Sequence, residues 1–382
     1  MRIEPFKIEV DASVLADLRS RILNTRWPDQ VPGTGWDQGT NLDYLKRILA
    51  YWADGFDWRA QERKLNGLRH FRADLDGVHI HFVHEKARRG RGLPLILTHG
   101  WPSTFIELLP LLPLLTDPEA HGIEGPAFDV VIPSLPGYGF SERPLRTGVN
   151  YRFTASLWHR LMRGLGYARY AAHGSDFGAG VSTLMALDEP QPMIGLHLSN
   201  LEIPPYVGPD ARPLSDAERD YVERNDRFWQ AENGYKAIQG TKPQTLGYAL
   251  NDSPAGLAAW ILEKWRSWAD SGGDADRRFS RDFLLTNLTI YWATGTITSS
   301  MRDYYDNRWF RVPIGPQDLV RVPTAIAIFA NELISEGVPP REWAARLYDL
   351  RRWTPMPRGG HFAATEEPQL LAQDIGAFFA GL

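Results

Sequence analysis

Residues 174–178 read Gly174-Ser175-Asp176-Phe177-Gly178, an Asp flanked at two positions either side by glycine. Tyr167 to Ala172 ahead of it has the composition of a strand, and Gly178 to Leu187 behind it that of a helix. A Gly-x-Asp-x-Gly segment at such a junction makes a tight turn that larger flanking side chains would obstruct. The turn lifts residue 176 to the top of a sheet and sets it at the start of a helix, whose free N–H groups stabilise negative charge. These are the requirements of a nucleophile, with Asp in the place more often held by Ser. Shifting the frame by one would put Ser175 there, at the loss of the glycine symmetry. Without the flanking elements, the same residues would be a Gly-rich turn with a helix-capping Asp.

Outward from this turn, buried apolar runs alternate with helical patterns. Val78 to Val83 alternates in period two, Leu93 to Thr98 and Phe128 to Pro133 are short apolar runs, and Thr154 to Leu165 is helical. This predicts a mostly parallel sheet covered on both faces. Ahead of it, Asp11 to Asn24 forms a helical pattern with Val14, Leu15, Leu18 and Ile22 on one face. A second runs through Leu42, Tyr44, Leu45, Ile48, Leu49 and Tyr51, and no strand is obvious before residue 76. From about residue 201 the chain is mostly helical, polar and Trp-rich, until Val322 to Phe329 resumes the strands and Glu367 to Phe379 closes with an amphipathic helix.

A helical block that interrupts such a sheet is the pattern of a lid over an active site. Four segments are therefore expected: 1–75, an N-terminal helical extension on the core; 76–200, the first part of an α/β core; 201–312, a helical lid; and 313–382, the second part of the core. Together with the turn at Asp176, this is the pattern of the α/β-hydrolase fold.

That fold predicts the remaining site residues. The loop after the strand ending at Thr98 is His99-Gly100-Trp101-Pro102. It supplies one backbone N–H to an oxyanion hole, from Trp101, and the residue after the nucleophile, Phe177, supplies the other. His99 reads as structural, and Leu135 to Ser141 as a rigid turn beside the site. The base follows the last strand and precedes the final helix, where Arg358-Gly359-Gly360-His361-Phe362 offers His361. The acid that orients it follows Val322 to Phe329. Glu332 is the first carboxylate there and the preferred one, with Glu336 left open.

Composition narrows the class. The net charge of −4 over 382 residues argues against general affinity for nucleic acid or anionic membranes. The absence of Cys removes disulfides and thiolate chemistry. The N-terminus lacks the apolar core of a signal peptide, and no stretch reaches the ~20 apolar residues of a membrane span. A cytoplasmic protein is expected. The 14 Trp read either as core volume or as the lining of an apolar pocket.

Several of these motifs coincide with one family. His99-Gly100-Trp101-Pro102, Gly174 to Gly178, Asn251-Asp252-Ser253-Pro254, Ser299-Ser300-Met301-Arg302-Asp303-Tyr304 and Arg358 to Phe362 resemble the microsomal-type epoxide hydrolases, over nearly the whole chain. The resemblance implies Asp176 as nucleophile, Glu332 as acid and His361 as base. It adds two lid tyrosines that bind the epoxide oxygen, matched by Tyr304 and by Tyr235 in Glu232-Asn233-Gly234-Tyr235; Tyr305 competes with Tyr304. Membrane-bound members carry an apolar N-terminal anchor, whereas this chain starts in the helical segment, so the likeness is to soluble bacterial members. Some of those act in natural-product biosynthesis.

The implied reaction explains the residue types. Attack of Asp176 on a saturated carbon forms an ester, which water can remove; a Ser would form an ether. No metal or cofactor is needed, and the expected partners are a small-molecule epoxide and water, with a homodimer left open. The Trp-rich lid suggests a bulky aromatic epoxide. The competing reading is an Asp-nucleophile dehalogenase of the same fold, which would release halide from chloroalkanes.

Overall fold

The described residues of this computed structural model, 1–382 apart from 76, 312 and 333–337, form a nine-stranded sheet. Its strands are β1 (Arg2–Pro5), β2 (His70–Leu75), β3 (Val78–Glu85), β4 (Leu93–Thr98), β5 (Phe128–Pro133), β6 (Tyr170–Gly174), β7 (Met193–Leu198), β8 (Val320–Ile328) and β9 (Tyr348–Pro355). Their order is β1-β2-β3-β5-β4-β6-β7-β8-β9. The pairs from β1 to β5 are antiparallel, and every pair from β5 through β4 to β9 is parallel.

The central strands bury both faces. Leu95 and Leu97 enter one hydrophobic cluster and Ile96 the other, as Val130 and Ile132 do against Val131. A strand buried on both sides needs no polar alternation, so β4 and β5 read as continuous apolar runs and have the bounds the sequence suggested.

The first 75 residues correct the helix-only reading. The helices Ala12–Leu23 and Leu42–Asp54 are present, joined by Trp58–Leu65, and Asp11 caps the first by accepting the Ser13 N–H at 2.7 Å. However, β1 and β2 also lie here, and β2 pairs with β3. Neither strand carries a strong signal of its own. β1 is an exposed edge strand containing Pro5, and β2 interleaves Arg72 and Asp74 among its apolar residues. Pairing with β3 decides their structure more than intrinsic preference does.

Between β7 and β8 lie the helices Asp216–Glu232, Gly234–Gln239, Pro243–Leu250, Pro254–Trp268, Arg281–Thr294 and Ile297–Trp309. The N-terminal helices are bonded to this block. The Tyr51 hydroxyl donates to Asp282 at 2.8 Å, and the Trp52 indole donates to Thr289 at 2.9 Å. Among the described residues, no helix is long and apolar enough to cross a membrane.

Candidate active site

Asp176 sits between β6 and the helix Phe177–Asp188, with φ 50° and ψ −128°. Among the described residues, only it and Asp210 are non-glycine residues with positive φ. Such a backbone persists only when its surroundings hold it. Here the Asp176 N–H donates to Asn200 Oδ1 at 2.8 Å, and the Asp176 carbonyl accepts the Ala179 N–H at 2.9 Å. The glycines allow the close approach on which this depends. A Cβ on Gly178 would run into the carbonyl of Thr98, and one on Gly100 into the carboxylate of Asp176.

The two carboxylate oxygens face different partners. Oδ1 accepts the Trp101 N–H at 2.8 Å. Phe177 is the first residue of the helix, where an N–H has no carbonyl within the helix to bond. Oδ2 lies 3.5 Å from His361 Nε2, and His361 Nδ1 lies 2.7 Å from Glu332 Oε1. Residues from the β6 turn, the end of β8 and the loop after β9 thus meet in one line, Asp176–His361–Glu332. Glu336, the other acid considered, lies outside the described residues.

His361 is 4% exposed. Burial by itself favours the neutral ring, but the carboxylates of Glu332 and Asp176 outweigh it and hold the pKa well above that of an ordinary histidine. The two carboxylates therefore favour the protonated ring.

Both lid tyrosines reach this site. Tyr235, from the helix Gly234–Gln239, and Tyr304, from Ile297–Trp309, are each 7% exposed and line one cavity with Asp176. Their ring centroids are 5.8 Å apart. Trp101 joins them, stacked parallel on Tyr235 at 5.5 Å and edge-on to Tyr304 at 5.6 Å. Phe177 packs on Tyr304 at 4.7 Å. Burial raises both phenol pKa values well above the ordinary range, and the charge of Asp176 adds to that, so both hydroxyls stay protonated. Tyr305 instead packs against Trp309.

Other predicted residues are structural. His99 accepts the Leu135 N–H at Nε2, 3.2 Å, which ties the Trp101 loop to the following turn. In that turn Tyr138 donates to the Ser300 carbonyl at 3.1 Å.

Sequence reasoning missed four polar residues. Asn200 holds the elbow. Glu366 accepts the N–H groups of Asp270, Gly360 and Phe362 at 2.7, 3.1 and 3.0 Å, fixing the His361 loop. Glu202 lines the cavity, accepts the Tyr151 hydroxyl at 2.8 Å, and is pushed up to about 7, mainly by burial. Lys264 is buried against Tyr235. Asn200 lies two residues beyond the end of β7, a position from which a side chain can reach the site; the other three have no local motif.

The family models described as "Epoxide hydrolase N terminus" and "alpha/beta hydrolase fold" match residues 3–108 and 94–309. A Stigmatella aurantiaca protein bearing an epoxide hydrolase name is 42% identical over 385 residues, covering 100% of this chain and 85% of that protein. "Epoxide hydrolase 1" of Oryctolagus cuniculus is 40% identical over 407 residues, covering 98% of this chain and 88% of its own. The crystal structure of juvenile hormone epoxide hydrolase from the silkworm Bombyx mori superimposes with a TM-score of 0.89 at 31% identity, covering 100% of this chain and 94% of that one. With sequence likeness and fold in agreement over essentially the full length, the chain belongs to the epoxide hydrolase family of the α/β-hydrolase fold.

Proposed function

We propose that the chain converts an epoxide to a vicinal diol through an ester on Asp176. The observation that carries this reading is the pairing of Asp176 with His361 at 3.5 Å, beneath two buried tyrosines that line the same cavity. An Asp176 oxygen attacks an oxirane carbon and the C–O bond breaks. The departing oxygen takes a proton from Tyr235 or Tyr304, which share its developing charge. His361, oriented by Glu332, then draws a proton from water as that water adds to the ester carbonyl. The N–H groups of Trp101 and Phe177 hold the resulting oxyanion. Collapse releases the diol with the proton from His361, and the proton left on the Asp176 carboxyl restores the phenol.

The preference of the His361 ring for its protonated form beside two carboxylates fits this order. Once Asp176 is esterified its negative charge is gone, so the imidazolium gives its proton up to solvent, acts as base in the neutral form, and is protonated again from solvent when the Asp176 carboxylate is restored.

The substrate side favours a bulky aromatic or natural-product epoxide. The cavity measures about 680 Å³, and Leu201, Ile203, Val222, Trp229 and Trp343 are among the apolar side chains lining it. Glu202 and Asn225 add polar groups. A screen of aryl epoxides graded by size tests this, and preference for the smallest members would oppose it.

The mechanism is tested by His361→Gln. Alkylation needs Asp176 and the tyrosines, whereas ester hydrolysis needs the base. Turnover should fall by about 10³, in the range general base catalysis contributes, while the protein gains the mass of one substrate. An unmodified intact mass, with a substrate the parent protein turns over, would remove His361 from the second step.

Glu332→Gln tests the orienting acid through pH. The hydrolysis step needs neutral imidazole, so its single-turnover rate falls as pH drops through the His361 pKa. Removing the Glu332 charge lowers that pKa, so the fall should move to lower pH, with the plateau reduced about a hundredfold. An unmoved midpoint would mean that Glu332 does not act on His361.

A further inference from the structure

Lys264 lies in the helix Pro254–Trp268 and is only 6% exposed, an unusual place for an ammonium. Its Nζ stands 4.6 Å from the centroid of the Tyr235 ring and 5.7 Å from that of Trp268. Its counter-charge is Glu263, at 2.5 Å, whose side chain is 25% exposed against 8% for Lys264. The ammonium therefore faces the aromatic interior, while its partner carboxylate is the more solvated of the two. Trp268 continues the contact toward the other half of the site. Its ring meets His361 edge-on at 5.1 Å, and its carbonyl accepts the His361 N–H at 2.9 Å.

We propose that Lys264 is a positioning residue of ring opening, which holds the Tyr235 ring in place and favours transfer of its hydroxyl proton to the epoxide oxygen. A cation against an aromatic face is attracted by the ring's negative surface, and the attraction grows as the site is desolvated. When the Tyr235 O–H bond breaks and the proton moves to the alkoxide, the electron pair stays on the phenol oxygen and spreads into the ring. The nearby ammonium stabilises that charge more than it stabilises the neutral phenol. This difference lowers the barrier of the alkylation step alone. Asp176, Glu202 and Glu263, the partner of Lys264 itself, act on Tyr235 in the opposite direction, disfavouring its ionised form. Lys264 offsets them without touching the substrate.

The inference rests on Tyr235 acting as an acid, and the experiment separates the two ideas. Lys264→Met keeps all but the last atom of the side chain's length and removes the charge. Rapid-mixing single turnovers with an aryl epoxide give the alkylation and hydrolysis rates separately. Lys264→Met should slow alkylation about tenfold and leave ester hydrolysis within about twofold, while Lys264→Arg restores most of the loss. In a Tyr235→Phe background the same change should cost less than about twofold, because the group through which it acts is gone. If Tyr235→Phe alone alkylates at the parent rate, the acid role of Tyr235 fails and this inference with it. If Tyr235→Phe is slow but Lys264→Met is not, only the Lys264 role fails. Equal losses in both backgrounds, or parallel losses in both half-reactions, would make Lys264 a packing residue. Should Lys264→Met melt too low to assay, Lys264→Gln, which keeps a polar end for Glu263, is carried through the same cycle.

Discussion

Asp176→Ala is expected to leave no measurable epoxide turnover, a loss on the order of 10⁵-fold or more, because the nucleophile of a covalent route has no partial substitute. Glu202 lines the same cavity, but it lacks what surrounds residue 176. Asp176 has the Trp101 N–H on one oxygen, the start of the helix Phe177–Asp188 behind it and His361 on the other oxygen. Neither alkylated protein nor diol should be found by intact-mass spectrometry or chromatography. Turnover above a trace would place the nucleophile elsewhere. Stability gives a second reading of the same position. Both Ala and Asp are strained at φ 50°, whereas Gly is not. Asp176→Gly should therefore be as inactive as Asp176→Ala but more stable by about 1 kcal/mol, as measured by chemical denaturation. Equal stabilities would mean that the turn relaxes when the Asp is lost.

Replacing both lid tyrosines has the next largest effect. Tyr→Phe removes a hydroxyl and keeps the ring, so the stacking of Tyr235 on Trp101 and the tilted packing of Tyr304 on Phe177 should survive. Each single change should slow alkylation by about 10²-fold, since the other hydroxyl still meets the oxygen. The double change should slow it by about 10⁴-fold or more, because an alkoxide then leaves a buried site with no donor. Hydrolysis of an ester already formed should change little, as that step uses His361 and the backbone N–H groups. Parent-like alkylation in the double variant would remove the tyrosines from the mechanism. If chloroalkanes then released halide, the dehalogenase reading would replace this one.

Much of the site was legible because chemistry had left local marks. Asp176 was readable from its two glycines, Gly178 required by the close approach of Thr98 and Gly174 by that of the Gly178 backbone, and His361 from its Gly-rich loop and its place in the chain. The tyrosines were read only through the likeness of whole motifs, since a Tyr in a helical lid has no signature of its own. Strands β4 and β5 were readable as apolar runs, but β7 and β9 were not. β7 contains Gly195 and His197, and its buried His197 is balanced by Asp374 at 3.0 Å from the far end of the chain. β9 carries Arg351 and Arg352. Lys264 was hidden for a similar reason: the helix that bears it buries residues on several sides, so no clean stripe distinguishes an inward lysine from a solvated one.

The loop carrying His361 is fastened to the helical block above it as well as to the sheet. His361 donates its N–H to Trp268, Gly359 donates to Asp270 at 3.0 Å, Glu366 accepts from Asp270, and Arg278 donates to Glu367 at 2.9 Å. The end of the helix Pro254–Trp268 and the turn after it therefore cannot shift without pulling the base out of line with Asp176. The same bonds join two regions that a sequence reading would separate. They should melt together, as a single calorimetric transition whose van't Hoff and measured enthalpies agree.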